Sequence, residues 1–141
     1  MSMWAHVAAV VRIDDFRFSD DQTIPDWDEI FGKECLFDAP SEVWDDCEKH
    51  PEKYLPCGSE GTLQKTAWIN PDSHQIAAYT VTIFGDLRDY DSPEEIVEWF
   101  KEIVNSDAIN VRQACITVTN GYTRLVWGIN FGEESRASNR F

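Results

Sequence analysis

The stretch WAHVAAVVRI, residues 4–13, sets the first limit on what this chain can fold into. It is β-rich and ends at the polar pair Asp14–Asp15. Strict alternation places Ala5, Val7, Ala9, Val11 and Ile13 on one side and Trp4, His6, Ala8, Val10 and Arg12 on the other. Both faces are mostly apolar, so the segment reads as a strand. Four further stretches share this character. GTLQKTAWI (61–69) and IAAYTVTIF (76–84) flank NPDSH (70–74), whose Asn-Pro and Asp-Ser chemistry reads as a turn, so the pair forms a hairpin. INVRQACITV (109–118) and YTRLVWGI (122–129) flank an Asn-Gly hairpin signal at 120–121.

One segment carries strong helical periodicity. Ile96, Val97, Phe100, Ile103 and Val104 make an apolar stripe, and Ser92, Pro93 and Glu95 read as N-cap, first helical residue and capping-box partner. Residues 85–91, GDLRDYD, read as the loop before it. Between the first two strands lie two shorter helical signals: IPDWDEIFG, with Trp27, Ile30 and Phe31 inward and Gly32 as the stop, and APSEVWDDCEKH, opened by Pro40 and halted near Pro51. The order is therefore β, irregular and helical, β, β, α, β, β. This predicts an α+β fold: a ferredoxin-like βαββαβ sheet with an extra C-terminal strand and a long acidic insertion after the first strand. The domain spans 1–132, with the insertion at 14–60 and a flexible polar tail at 133–141.

Charge narrows the function classes. The chain carries a formal net charge of −14, and residues 14–48 hold thirteen Asp and Glu against two Lys and Arg, which is −11 of that total. A surface of this sign repels nucleic acid and anionic membranes, and suits a basic partner. The same segment carries Phe16, Phe18, Trp27, Phe31 and Trp44, so it reads as docked on the core. No apolar run is long enough to cross a bilayer, and the N-terminal stretch lacks a basic n-region and a small-residue cleavage site; a cytoplasmic setting is expected.

Each chemical constellation has a plainer reading beside it. Cys35, Cys47, His50 and Cys57 form C-x11-C-x2-H-x6-C, a donor set suited to structural zinc, yet without the two close ligand pairs of familiar modules. Cys57 as a nucleophile would need His6, His50 or His74 as base and Glu60 to orient it, and an acidic chain tends to raise its thiol pKa. GSEG (58–61) precedes a strand and lacks the lysine of a phosphate loop. Asp86, Asp89 and Asp91 can hold a hard cation, but an Arg88-paired turn explains them as well. The bare sheet face can carry Trp4, His6, Arg12, Trp68, Arg112 and Arg124, without an RNA-binding signature. We therefore expect no catalytic residues, no cofactor and no metal.

MWAHVAAVVRID, PCGSEGTLQ and YTVTIFGDLRDYDSPEEIVEWF together resemble a group of small proteins encoded by phages and prophages of Gram-positive gut bacteria. The resemblance runs over most of residues 3–129 and brings no catalytic motif. It implies an anti-defence character, similar to that of anti-CRISPR proteins. The leading expectation is a non-enzymatic inhibitor of a basic host defence protein. It would use a nucleic-acid-mimicking face built from Asp14, Asp15, Asp20, Asp21, Asp26, Asp28, Glu29, Asp45 and Asp46. A nucleotide-signal sponge is the second expectation, with a tryptophan-lined pocket and Arg12, Arg112 or Arg124. An accessory or structural phage protein and a homodimer stay open.

Overall fold

A computed structural model describes residues 3–16, 25–36, 38–70, 76–90, 92–121 and 123–129. Five strands, β1 (Trp4–Phe16), β2 (Leu63–Asn70), β3 (Ile76–Arg88), β4 (Val111–Thr119) and β5 (Arg124–Ile129), form one sheet in the order β2-β3-β1-β4-β5. Every neighbouring pair is antiparallel. Among the described residues the helices are α1 (Trp27–Phe31), α2 (Ser41–Lys49) and α3 (Pro93–Val104), with a 3-10 turn at Pro51–Lys53. The chain is thus a mixed α+β protein. No helix among the described residues is long and apolar enough to cross a membrane.

The core lies on one side of the sheet. Ala5, Val7, Ala9, Val11 and Ile13 of β1 meet Tyr79, Val81, Ile83 and Leu87 of β3 and Ala114, Ile116 and Val118 of β4, all buried. The α3 stripe closes this side through Ile96, Val97, Phe100 and Val104. Phe100 meets Trp127 edge-on at 5.8 Å, and Trp27 of α1 meets Tyr79 at 5.2 Å. The periodicity of α3 and the alternation of β1 read from sequence therefore hold. The opposite face keeps large apolar groups in solvent: Trp68 is 55% exposed, Phe84 48%, Val10 42% and Trp4 37%.

Several boundaries differ from expectation. β1 continues through Asp14, Asp15 and Phe16, which pair with Ala78, Ala77 and Ile76. The polar pair is tolerated because Asp14 is bound by Arg112 of β4, Nε to Oδ2 at 2.9 Å. The connection from β1 to β2 therefore starts beyond residue 16, and not at 14. Residues 85–88 are strand and not loop, paired with β1 from Trp4 to Val7. Ser92 makes no side-chain capping bond, so the expected capping box is absent; the Glu95 N–H bonds the Ser92 carbonyl at 3.0 Å. Asp26 does cap α1, accepting from the Asp28 and Glu29 N–H groups at 3.1 and 3.2 Å. The Asn-Gly turn forms with reciprocal Asn120 and Thr123 backbone bonds. The expected turn at 70–74 lies outside the described residues apart from Asn70, as does the 133–141 tail.

Candidate functional site

The nine carboxylates expected to face a partner divide into three groups. Four of them hold the fold: Asp14 binds Arg112, Asp26 caps α1, Asp28 binds the Lys65 ammonium, and Asp46 accepts the Tyr54 hydroxyl at 2.6 Å. Glu29 and Asp45 are exposed, and their side chains make no hydrogen bond or ion pair among the described residues. Asp15 sits in β1 opposite Ala77, while Asp20 and Asp21 lie outside the described residues. Asp38, Glu42 and Glu48, exposed carboxylates of the same segment that were not expected, join Glu29 and Asp45 in lacking a partner among the described residues. Glu42 and Asp45 stand three apart on α2 and so share its outer face.

Beneath α2 the segment 54–59 runs back toward the sheet and leaves a cavity of 750 Å³ against α3. Its aromatic walls are Trp44 of α2, Tyr54, Tyr90 and Trp99 of α3, and Glu48, Glu52 and Glu95 stand at it. Among the described residues no Lys, Arg or His lines it. Arg12, Arg112 and Arg124, expected around a tryptophan pocket, are not among its described walls. Burial, with the Glu95 charge second, raises the Tyr90 hydroxyl pKa and keeps it a neutral donor. The Tyr54 hydroxyl is pushed to about 12 by its bond to Asp46, and that same bond lowers the Asp46 carboxyl.

Three thiols cluster beside the cavity, and two of them, Cys47 and Cys57, line it. Cys47 and Cys57 Sγ atoms are 3.7 Å apart, and Cys35 is buried beside them. Burial and the neighbouring Cys47 thiol raise Cys35 to about 11 and Cys57 to about 12. A thiol in that range is protonated at neutral pH and is a poor nucleophile. Among the described residues no group of three or more His, Cys, Asp or Glu is arranged to hold a metal ion. His50 faces Glu52 at 3.5 Å.

The loop PCGSEGT closes against the end of β3. The Ser59 N–H bonds the Arg88 carbonyl at 3.0 Å, the Arg88 N–H bonds the Glu60 carbonyl at 2.9 Å, and the Ser59 hydroxyl donates to Asp89 at 2.7 Å. Arg88 also binds the Glu60 carboxylate. Gly61 has φ +82°, and a Cβ there would lie 2.0 Å from the Asp86 carbonyl oxygen. The segment is a clamp where the β1–β2 connection rejoins the sheet. Asp86 meets His6 at 2.6 Å, Asp89 is engaged by Ser59 and Arg88, and Asp91 lies outside the described residues.

No family model, curated protein or solved structure matches this chain. The cavity itself had one sequence signal: Trp99 falls off the apolar stripe of its helix, and a tryptophan there needs another surface to cover it.

Proposed function

We propose that this protein works by binding, without catalysis, and that its α1–α2 segment engages a basic surface on a partner protein. The observation that carries the reading is the set of exposed carboxylates Glu29, Asp38, Glu42 and Asp45, unpaired among the described residues, in a chain of net charge −14. Carboxylates already bonded inside the fold have spent their geometry on it; these four are free to meet lysines and arginines. Such contacts speed association and weaken with salt. The resemblance to phage-encoded proteins makes a host defence enzyme with a nucleic-acid channel the class of partner, reached in the host cytoplasm.

The strand order β2-β3-β1-β4, with α1 and α2 between β1 and β2 and α3 between β3 and β4, supports reading the scaffold as ferredoxin-like with β5 added at one edge. The acidic insertion is then the element that this scaffold presents.

The test is competition. Added to a nucleic-acid-guided nuclease and its duplex target, the protein displaces the DNA. The variant Glu29→Gln/Asp38→Asn/Glu42→Gln/Asp45→Asn loses that ability while keeping the wild-type circular dichroism spectrum. Equal displacement by the variant refutes the reading.

A further inference from the structure

We propose that the cavity between α2 and α3 receives one arginine side chain of the basic partner. This deepens the reading above by naming the group that the partner inserts. The walls of the cavity suit that group. Trp44 and Trp99 supply indole surface, Tyr90 supplies a phenol ring, and Glu48, Glu52 and Glu95 supply three carboxylates, of which Glu52 also faces His50, with no Lys or Arg among the described lining residues. Aromatic faces attract cations through their quadrupoles, most strongly for tryptophan. A guanidinium is planar, weakly hydrated and able to stack on a ring while its edge donors reach carboxylates. A free anion or a carboxylate would meet three like charges. A purely apolar group would leave those charges beside it without gain.

Two features set which walls do the work. The Tyr54 ring already has Lys33 above it, Nζ 6.0 Å from the centroid, and its hydroxyl is committed to Asp46. It is therefore structural wall, and Trp44, Tyr90 and Trp99 are the recognition surfaces. The N-terminal turn of α3 also reaches the rim through Glu95, bringing the positive end of a helix dipole toward a cation. That partial charge is about half a unit. Glu94 and Glu95 in the same turn outweigh it. The volume of 750 Å³ exceeds what one guanidinium fills, which leaves space for the aliphatic stem and the adjoining backbone of the inserted residue.

The test uses the full chain labelled with ¹⁵N and titrated with N-acetyl-arginine amide, N-acetyl-norleucine amide, and a short peptide with a single central arginine. The expected result is saturable movement of the Trp44 and Trp99 indole N–H signals with the two arginine probes and none with norleucine. The peptide binding more tightly than the amide assigns the source as a polypeptide; equal affinities overturn that part and point to a free small cation. Trp44→Ala, and separately Glu48→Gln/Glu95→Gln, weaken binding about tenfold or more. Trp68→Ala, on the opposite face, leaves it unchanged. Equal response to norleucine, or indole shifts that survive the Trp44 and Glu48/Glu95 changes, overturns the proposal. Because none of these cavity residues is in the Glu29, Asp38, Glu42 and Asp45 set, loss of one activity with retention of the other shows which reading has failed.

Discussion

Replacing Gly61 with alanine tests the clamp that joins the acidic segment to the sheet. Gly61 sits at φ +82°, where a side chain is strained by about 1–2 kcal/mol. The new Cβ would also lie 2.0 Å from the Asp86 carbonyl oxygen and 3.3 Å from Trp4 Cζ3. Strand β3 is held between β1 and β2 and cannot retreat, so the loop has to move by roughly 1 Å or more to restore van der Waals separation. That movement breaks the Ser59 to Arg88 and Arg88 to Glu60 backbone bonds, at 3.0 and 2.9 Å. Each is worth about 1 kcal/mol. The expected loss is about 3–4 kcal/mol, or roughly 10–15 °C in Tm for a domain of this size. Urea unfolding followed by tryptophan fluorescence measures it. Gly121→Ala is the matched control, because a Cβ there meets no atom within 4 Å. A Gly61→Ala variant within about 1 kcal/mol of wild type, or equal to Gly121→Ala, refutes the clamp.

Three further outcomes follow from the same contacts. Lys65→Met keeps the aliphatic stem but removes the ammonium that binds Asp28 and donates to the Gly32 carbonyl at 2.9 Å; with that side chain only 6% exposed, stability falls by about 1–3 kcal/mol in urea melts, and protease cuts near α1 earlier. Tyr54→Phe flattens the acid limb of the stability curve: the Asp46 carboxyl is lowered in the fold, so its contribution is full above the unfolded value of 3.8 and is lost as pH falls through the folded value, and a variant whose melts keep the wild-type slope there contradicts the bond. Cys35 and Cys57, raised to about 11 and about 12, react with Ellman's reagent at pH 8 at least about tenfold slower in the fold than in urea. Equal rates would refute their protonated, buried setting.

Alternation and helical period were readable because each is a local pattern repeated over many residues. β1, the 76–84 core of β3 and the α3 stripe emerge from them directly. The ends were harder, since pairing extends strands past residues that look like breaks. Asp14 stays in β1 because Arg112, ninety-eight positions away, holds it. Asp86 stays in β3 because its backbone pairs with His6, whose imidazole also meets the Asp86 side chain. Ser92 looked like a cap from its spacing alone, while its side chain makes no such bond. The acidic segment was visible as composition, but which of its carboxylates are available was not. Asp26, Asp28 and Asp46 are bonded to N–H groups, Lys65 and Tyr54, and no periodicity signals those partners. The cavity depends on residues 44–59 meeting 90–99, a long-range contact with no local signature beyond the off-stripe Trp99.

In the proposed function, charge at particular places, and not net charge, directs binding to a basic partner. Two variants of equal net charge separate these. One carries Glu29→Gln, Asp38→Asn, Glu42→Gln and Asp45→Asn. The other carries Glu94→Gln, Glu98→Gln, Glu102→Gln and Asp107→Asn, all exposed on or just after α3. Isothermal titration with an arginine-rich basic protein domain gives the affinity of each at fixed salt. At about 0.5 kcal/mol per exposed pair the first set is worth about 2 kcal/mol, or roughly 30-fold in Kd. The account predicts that loss for the first variant and a Kd within about threefold of wild type for the second. Equal weakening of both would mean that net charge alone is responsible, and would contradict it.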